Sequence, residues 1–343
     1  MFANSLLLAA VLPVLSLAKS LPGTVLDQLP HGTWLENIAA RPNGDLLATQ
    51  MWPSAIVYTI KKPTGPTHKI EELVSIPEIQ SIYGIDQVPK GRHGKETYIV
   101  VGGNSSNIGV PVIGTFSAFA IEFGCETSKP KVKRISNFNT KSAFLNGVTA
   151  IPGVSKAVLV ADSANGFVGY LDLKSGKWDT SAFVFPEMAP KPNATLPVGV
   201  NGIRAYNGYL YFSNSFAVSI YRIPITPSGY PVKGAKPKLV SDFSDKAVFV
   251  DDFAIDTEGN IWAASNFDNK VVYINTKTGT SKVVVGGDNE MIVAGDTAVA
   301  FGRGKYDKDF LYVATSGALA MPVGGENGKT EGAKIVAVDT SAH

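Results

Sequence analysis

Apolar and polar residues alternate along this chain in short runs, and turn residues interrupt them. The clearest example is the segment 253–279, where three β-rich runs at 253–256, 261–265 and 271–275 are separated by turns rich in Gly, Asn and Asp. Alternating runs bounded by such turns predict β-hairpins. No long stretch with helix caps and a 3.6-residue period stands out. We therefore expect an all-β fold built from small antiparallel sheets.

The same strand–turn–strand unit recurs along the chain. Six unit starts can be placed, at Glu36, Gly84, Asn146, Asn201, Asp251 and Asp296, with intervals of 48, 62, 55, 50 and 45 residues. A four-stranded propeller blade needs roughly this many residues. The second unit is the least regular, and a long insertion is expected around 91–95. The repeats predict a six-bladed β-propeller.

A ring of blades must close, because open sheets would leave unpaired edges. The stretch 23–27 is expected to add a strand to the last blade, next to the run 333–339. No low-complexity linker divides the chain. We therefore expect one domain over 19–343.

Composition supports this fold and excludes some partners. The chain has 343 residues, of which 45% are apolar, with 34 Gly and 21 Pro, which suits a sizeable core and many turns. The net charge of +2 gives no electrostatic reason to expect binding to nucleic acid or to an anionic membrane.

An apolar run at 6–18 ends in the small-x-small triplet Ser16-Leu17-Ala18, which predicts a signal peptide over 1–18. The first residues lack the usual Lys or Arg, so a short membrane anchor or a buried segment stays an alternative. The run is too short for a comfortable membrane span. Sequons at Asn104 and Asn193 are consistent with the secretory route. We expect a glycoprotein that is secreted or resides in an endomembrane lumen.

The single cysteine, Cys125, has no partner for an internal disulfide. A half-buried small residue is the interpretation that we favour over a reactive thiol.

Four of the six units place an oxygen-bearing side chain at the start of a similar strand pattern, namely Glu36, Asn146, Asn201 and Asp251. Blades stacked around one axis direct these side chains into a shared funnel. Together they predict an all-oxygen site for a hard divalent cation such as Ca²⁺, which also relieves the repulsion between two carboxylates. As alternatives, Glu36 could cap strand-end amides, and the two Asn-Gly pairs could be ordinary turns.

This ordered set resembles the ligand set of the calcium-dependent six-bladed propellers of the senescence-marker/gluconolactonase family and its phosphotriesterase relatives. Asp251–Asp256 resembles the family motif Asp-Gly-Leu/Met-x-x-Asp, with Asp252 in place of Gly. The triplet Asn201-Gly202-Ile203 matches the fourth-blade motif. The resemblance covers nearly the whole mature chain and implies a Ca²⁺-dependent lactonase, esterase or phosphotriesterase.

The hydrolytic set is incomplete, however. A hydrolase needs a group that activates water or attacks the substrate. No unit starts with one of the four histidines, His31, His68, His93 and His343. Gly147 follows Asn146, where lactonases of the family commonly have Asp; Asp251 or Asp296 is left as a candidate base. Nucleophile-elbow, Walker A and dinucleotide motifs are absent, so no nucleotide, flavin or haem cofactor is expected.

The segment 32–44 carries a narrower resemblance, to a branch of secreted ascomycete propellers. This branch includes hetero-Diels–Alderases of tropolone–sesquiterpenoid pathways, which join a quinone-methide heterodiene to a terpene alkene such as humulene. A cycloaddition needs two partners held in near-attack geometry and a group that polarises the heterodiene oxygen. Tyr83 and Asn214 are candidate donors. Candidate substrate-binding residues are Trp34, Trp52, Phe144, Phe216, Phe253 and Asp296, although inter-blade packing would also explain the aromatic ones.

Three functions are therefore carried forward. The first is a hetero-Diels–Alderase-like pericyclase of fungal secondary metabolism that binds apolar small molecules. The second is the metal-dependent hydrolase, and the third is a non-catalytic binding propeller. The oligomeric state does not follow from the sequence.

Overall fold

In the computed structural model, which describes residues 20–90, 94–124, 129–341 and 343, six four-stranded antiparallel sheets form a ring. The sequence-based prediction of a six-bladed β-propeller in one domain is thereby confirmed. The predicted signal peptide at 1–18 lies outside the described residues, as does Cys125. Among the described helices, none is long and apolar enough to cross a membrane.

The strands follow the chain from blade to blade. The first strand is β1 (Gly23–His31). Blade 1 contains β2 (Trp34–Ala40), β3 (Leu46–Trp52), β4 (Ile56–Ile60) and β5 (Ile70–Ser75). Blade 2 contains β6 (Ser81–Val88) and β7 (Glu96–Gly103), a hairpin of β8 (Ser105–Asn107) and β9 (Val110–Pro111), and then β10 (Ser117–Phe123) and β11 (Lys131–Asn137). Blade 3 contains β12 (Leu145–Ile151), β13 (Val154–Asp162), β14 (Phe167–Asp172) and β15 (Trp178–Phe183).

The second half repeats the plan. Blade 4 contains β16 (Val200–Tyr206), β17 (Tyr209–Asn214), β18 (Ser219–Pro224) and β19 (Lys238–Asp242). Blade 5 contains β20 (Phe253–Ile255), β21 (Ile261–Ser265), β22 (Lys270–Ile274) and β23 (Ser281–Gly286). Blade 6 contains β24 (Asp296–Phe301), β25 (Phe310–Thr315) and β26 (Gly332–Asp339). Short 3-10 turns occur at Asn139–Lys141, Pro186–Met188 and Asn266–Asp268.

The ring closes as predicted. β1 pairs antiparallel with β26, from Gly23 opposite Val338 to His31 opposite Gly332. This strand runs four residues beyond the predicted stretch 23–27. The first and last segments of the propeller thus complete one blade, which removes a free edge from the ring.

The insertion predicted around 91–95 lies largely outside the described residues, since 91–93 are not described. The structure shows a further hairpin in blade 2, β8–β9, which lies between β7 and β10 and was not predicted. Its strands span three and two residues. Runs this short are below the length at which alternation signals a strand. This hairpin lies over one end of the ring.

The first strand of each blade lies at the centre, where β2, β6, β12, β16, β20 and β24 contact one another around the ring. Three glycines permit the closest approaches. A Cβ on Gly84 would lie 2.3 Å from the Asn146 carbonyl oxygen, and one on Gly147 would lie 2.4 Å from that of Asn201. One on Gly202 would lie 2.3 Å from Asp252 Oδ1. The tight packing of these inner strands fixes the positions of the side chains at their ends.

Candidate functional site

A cavity of about 450 Å³ opens at the end of the ring where the inner strands begin. Its floor consists of side chains from the starts of these strands, and its walls consist of the loops that join strands and blades. The volume lies within the range typical of small-molecule sites. We call this cavity the upper cavity, and it is the candidate site.

The structure brings the four predicted metal ligands together in this floor. Glu36, Asn146, Asn201 and Asp251 all line the upper cavity, and each is at most 5% exposed. Glu36 Oε2 accepts a hydrogen bond from Trp34 Nε1 at 2.5 Å. All four candidate ligands lie at or just before the start of the inner strand of their blade, as the repeat pattern predicted.

Asp251 is held by two amides. Asn201 Nδ2 donates to Asp251 Oδ1 at 2.8 Å, and Asn266 Nδ2 donates to Asp251 Oδ2 at 2.9 Å. Asn201 Nδ2 also donates to Ser215 Oγ at 3.0 Å. Both hydrogens of the Asn201 amide are therefore engaged, and its oxygen is the part left to face a ligand.

Burial controls the acidity of the two floor carboxyls. It is the main reason that the pKa of Asp251 lies at about 7; the nearby Asp252 carboxylate adds to the rise, whereas the amide hydrogen bonds oppose it. The pKa of Glu36 is also raised well above its ordinary value, by burial first and by the negative charge of Asp251 second. A cation between these groups would stabilise both carboxylates.

The floor fits a hard cation on its own chemistry. Asn201 Oδ1 is buried and has no hydrogen-bond partner among the described residues. The Asn146 side-chain amide likewise accepts and donates no hydrogen bond within the described part of the chain. Carboxylate and amide oxygens are the ligands that Ca²⁺ prefers. The described chain contains no cluster of three or more His, Cys, Asp or Glu that could hold a metal ion, and two of the four candidate ligands here, Asn146 and Asn201, are neutral amides.

A second polar layer lies directly beneath the floor. Asp252, at 2% exposure, accepts hydrogen bonds from Asn37 Nδ2 at 2.8 Å and from Arg204 Nη2 at 3.0 Å. Asp252, which stands where the family motif has Gly, therefore forms an ion pair with Arg204. It does not add a fifth polar group to the cavity. Sequence reasoning did not identify Arg204 or Asn37, which bear no distinctive motif.

Two of the predicted aromatic residues line the walls, namely Trp34 and Phe144. The walls also include residues that the sequence analysis missed, above all Phe249 and Phe267, whose rings stack with centroids 4.4 Å apart and an interplanar angle of 25°. Phe267 lies in the turn between β21 and β22, and an aromatic residue inside a polar turn was the signal available. Other apolar lining residues are Met51, Ile108, Val110, Leu196, Val198 and Leu319.

Four other candidate substrate-binding residues do not line the described wall. Phe216 packs edge-on behind Phe249, with ring centroids 5.2 Å apart. Trp52 packs against the core between blades, and Phe253 is fully buried in another core cluster. Asp296 is fully buried and accepts a hydrogen bond from the Ser265 N–H at 2.9 Å. Inter-blade packing, the alternative left open for the aromatic residues, accounts for Trp52 and Phe253.

The two candidate donors are also placed outside the cavity. Tyr83 is fully buried behind Phe144, at 5.3 Å between ring centroids, and its hydroxyl shares a hydrogen bond with Ser105 Oγ at 3.0 Å. Burial raises the pKa of Tyr83 to about 12. Asn214 donates both amide hydrogens to backbone carbonyls, those of Glu187 and Ala189. Neither group reaches a substrate in the upper cavity, because each is committed to the surrounding structure.

The remaining predicted residues lie away from the floor. Asn193 is exposed in the loop between β15 and β16, and Asn104 is half-buried next to the β8–β9 hairpin. Of the histidines, His31 is exposed at the end of β1, and none of the described ones lines the upper cavity. The described floor therefore offers carboxylates and amides rather than an imidazole base.

Comparison with known proteins identifies two similar sequences over most of the chain. The chain is 30% identical over 329 residues to a Phoma sp protein named "Putative hetero-Diels-Alderase", with 88% of each chain covered. It is 29% identical over 321 residues to "Putative hetero-Diels-Alderase asR5" from Sarocladium schorii, covering 85% of this chain and 78% of the other. No family model matches the chain.

Solved structures share the fold at low sequence identity. A luciferin-regenerating enzyme superposes with a TM-score of 0.65 at 15% identity, covering 94% of this chain and 96% of the other. A calcium-binding protein, regucalcin, from Agrobacterium tumefaciens superposes with a TM-score of 0.59 at 15% identity and 93% coverage of both chains. At such identities the likeness establishes the propeller fold alone.

Proposed function

The chain belongs to the family of β-propellers that contains these two hetero-Diels-Alderase relatives, and on this premise we propose that it catalyses a hetero-Diels–Alder cycloaddition. The proposed substrates are an apolar heterodiene of the quinone-methide type, derived from a tropolone polyketide, and a terpene alkene such as humulene. The observation that carries the proposal is the upper cavity, in which aromatic and aliphatic walls enclose a small polar floor.

The cavity suits this reaction because a cycloaddition depends on orientation. The heterodiene and the alkene together contribute three π bonds; one C–C and one C–O σ bond form, and one π bond is left in the new ring. No atom is lost and no oxidant, nucleotide or flavin is consumed. Holding two reactants in near-attack geometry can lower a barrier by about 7 kcal/mol or more. The stacked Phe249–Phe267 pair and the Trp34 and Phe144 rings offer flat apolar surfaces for this purpose.

We propose Ca²⁺ as the cation of the floor, with Glu36, Asn146, Asn201 and Asp251 as the residues that would hold it. When bound, such a cation would supply a positive charge that polarises a substrate oxygen or braces the inner strands. The support is the partnerless Asn201 oxygen and the two buried carboxyls beside it. We also propose that the protein acts in the secretory pathway, which the predicted signal peptide and sequons support.

The test is a product analysis. The purified protein should be mixed with humulene and with a hydroxymethyl-tropolone, which loses water to form the quinone methide before the cycloaddition. One dihydropyran stereoisomer should then form in excess of the spontaneous mixture. No redox cofactor should be required. Trp34→Ala should degrade the stereochemical control because it removes part of the wall. A stereoisomer ratio equal to that of the protein-free reaction, at stoichiometric folded protein, would contradict the proposal for these partners.

A Ca²⁺-dependent hydrolase is the second candidate, and the carboxyl of Asp251 is the observation that favours it. Asp251 is a buried carboxyl in the cavity floor, where it could act as a general base toward a bound water. Aryl esters and lactones should then be hydrolysed in the presence of Ca²⁺, and a chelator should stop the reaction. Turnover that survives both Glu36→Gln and Asp251→Asn would argue against this candidate.

A further inference from the structure

The floor of the upper cavity differs from blade to blade, because its side-chain amides differ in how many hydrogens are still free to donate. On blade 4, Asn201 Nδ2 donates to Ser215 Oγ and to Asp251 Oδ1, which uses both of its hydrogens. On blade 5, Asn266 Nδ2 donates to Asp251 Oδ2 at 2.9 Å. These two amides hold the Asp251 carboxylate in place: Asn201 has no donor hydrogen left, and Asn266 keeps one of its two.

On blade 3 the situation is different. Asn146 opens into the cavity beside Phe144, and its side-chain amide forms no hydrogen bond with any described residue. An Asn side chain carries two donor hydrogens and an acceptor oxygen. Asn146 as a whole is only 4% exposed, but neither atom of its amide is among the buried polar atoms that lack a partner, so the amide is accessible from the cavity and can donate to a ligand oxygen. Even if Asn146 Oδ1 were bound to a cation, its Nδ2 hydrogens would stay available.

A stacked aromatic pair lies in another part of the cavity wall, at blade 5. Phe249 and Phe267 stack at 4.4 Å next to Asp251 on blade 5, and Phe216 supports Phe249 from behind. Leu196 and Val198 extend this surface along the loop that precedes blade 4. The sector formed by blades 4 and 5 thus combines a stacked aromatic pair and aliphatic side chains with two amides that hold Asp251.

We infer from this asymmetry that the upper cavity has two subsites, which deepens and rests on the proposed cycloaddition. The terpene alkene, which has no hydrogen-bonding group, packs on the Phe249–Phe267 pair. The oxygen of the heterodiene accepts a hydrogen bond from Asn146 Nδ2, with the heterodiene plane beside Phe144. Asn146 takes the donor role for which Tyr83 and Asn214 are structurally unavailable, and polarises the C=O bond as the C–O bond forms.

Binding of two separate probes tests this inference without requiring turnover. Humulene serves as the alkene probe and tropolone as a stable oxygen-bearing probe, each titrated against the full-length protein by calorimetry in Ca²⁺-containing buffer. Phe249→Leu and Phe267→Leu should weaken humulene binding at least fivefold and change tropolone binding less than twofold. Asn146→Asp retains the size and an oxygen ligand but removes the donor, and should weaken tropolone binding at least fivefold while sparing humulene.

Matched controls lie at the opposite end of the ring. Tyr306→Leu, at a side chain that is 77% exposed, and Asn43→Asp, in the turn after β2, should leave both affinities unchanged. If both probes bind with the expected pattern but no cycloadduct forms, the proposed function fails while the two subsites stand. Equal effects of all cavity variants on both probes, a reversed pattern, or no binding of either probe to the wild-type protein would overturn the inference.

Discussion

The two ends of the ring of inner strands differ in charge chemistry, although both are built from the same six strands. The upper cavity is lined by Glu36 and Asp251 with amides and apolar groups, and its described lining includes no Lys, Arg or His. The lower cavity, of about 270 Å³ at the other end of these strands, is lined by Asp86 together with Arg204 and Arg303. Arg303 Nη1 donates to Gln87 Oε1 at 2.5 Å, and Arg204 reaches up to Asp252.

The two ends therefore differ in whether their polar groups are bonded within the protein or are available to a ligand. At the lower end, each carboxylate near the axis has protein donors: Asp86 accepts the N–H groups of Gln87 and Ala150, and Asp252 accepts Arg204. At the upper end, the buried Asn201 side-chain oxygen has no partner among the described residues. Burial raises carboxyl pKa values at both ends, including that of Asp86, so the partnerless oxygen is the feature that differs. A ligand or cation could bond to a polar atom that lacks a hydrogen-bond partner in a concave site.

The largest expected effect comes from breaking the pair that separates the two ends. The side chains of Arg204 and Asp252 are 21% and 3% exposed, and their charged atoms lie 3.0 Å apart. Arg204→Met leaves the Asp252 carboxylate buried with Asn37 as its remaining side-chain donor. We expect a loss of about 3 kcal/mol in the free energy of unfolding, at the lower end for a buried pair because Arg204 is partly exposed. Denaturant unfolding measures it.

Two variants sharpen this result. Arg204→Met combined with Asp252→Asn should recover at least about half of the loss, because the unpaired charge is gone. Lys61→Met breaks a pair with Glu71 whose side chains are 67% and 49% exposed, and should leave the free energy of unfolding nearly unchanged. Equal losses for Lys61→Met and Arg204→Met would show that the axial pair has no special role.

A somewhat smaller loss is expected where the inner strands crowd the same pair. The Cβ of Gly202→Ala would lie 2.3 Å from Asp252 Oδ1 and 2.7 Å from Asp252 Cα, so backbone must shift. Overpacking of this kind costs about 2 kcal/mol. Gly287→Ala is the matched control, since its Cβ would meet nothing closer than Glu290 Oε1 at 3.4 Å. A Gly202→Ala protein as stable as the Gly287→Ala protein would mean that the strands can separate cheaply.

The next effect depends on pH and belongs to the upper end. The pKa of Asp251 rises from 3.8 to about 7 on folding, so the protonated form favours the folded state. Its contribution to stability is fully present below about pH 4 and is lost as pH rises through about 7. In chelator, the melting temperature should therefore fall across this window. Asp251→Asn should make the fall smaller without abolishing it, because the pKa values of other buried carboxyls, such as Asp296, are also raised. Added Ca²⁺ should also reduce it, because the carboxylate then has a partner.

The exposed carboxylate of Asp245 provides the control for this titration. Its side chain is 70% exposed, so Asp245→Asn should leave the fall in melting temperature unchanged. A metal-free protein whose melting temperature stays constant from pH 4 to pH 7, with Asp251 intact, would contradict the assignment.

The fold could be predicted because its signals are local and repeated. The run 261–265 in blade 5 is observed as β21 with the same bounds, and the predicted closing strand begins at Gly23 as expected. The shared floor of four oxygen-bearing residues also followed from the repeats, since equivalent positions in stacked blades must face one axis. Their metal-binding role stays a prediction.

The walls of the cavity could not be predicted in the same way, because they come from loops with no period. Phe249 and Phe267 meet across a blade although 18 residues separate them in sequence, and the β8–β9 hairpin is too short to show alternation. Aromatic residues near the unit starts were therefore overestimated as wall residues. Phe253 follows the floor residue Asp251 by two positions, and it points into the core between blades.

The smallest expected effect concerns one hydrogen bond at the edge of the upper cavity. Trp34 Nε1 donates to Glu36 Oε2, and this bond lowers the pKa of Glu36 against the larger effect of burial. Trp34→Phe keeps an aromatic wall but removes the donor, so the Glu36 carboxylate becomes harder to ionise. If Ca²⁺ is bound as proposed, its affinity should fall roughly tenfold, about 1.4 kcal/mol, near the lower limit for a hydrogen bond to a charged group. Trp52→Phe is the matched control, because Trp52 is paired with Trp34 on β3 and lies outside the cavity. Calorimetric titration with Ca²⁺ measures both, and equal affinities for the two variants would mean that the indole contributes to the wall alone.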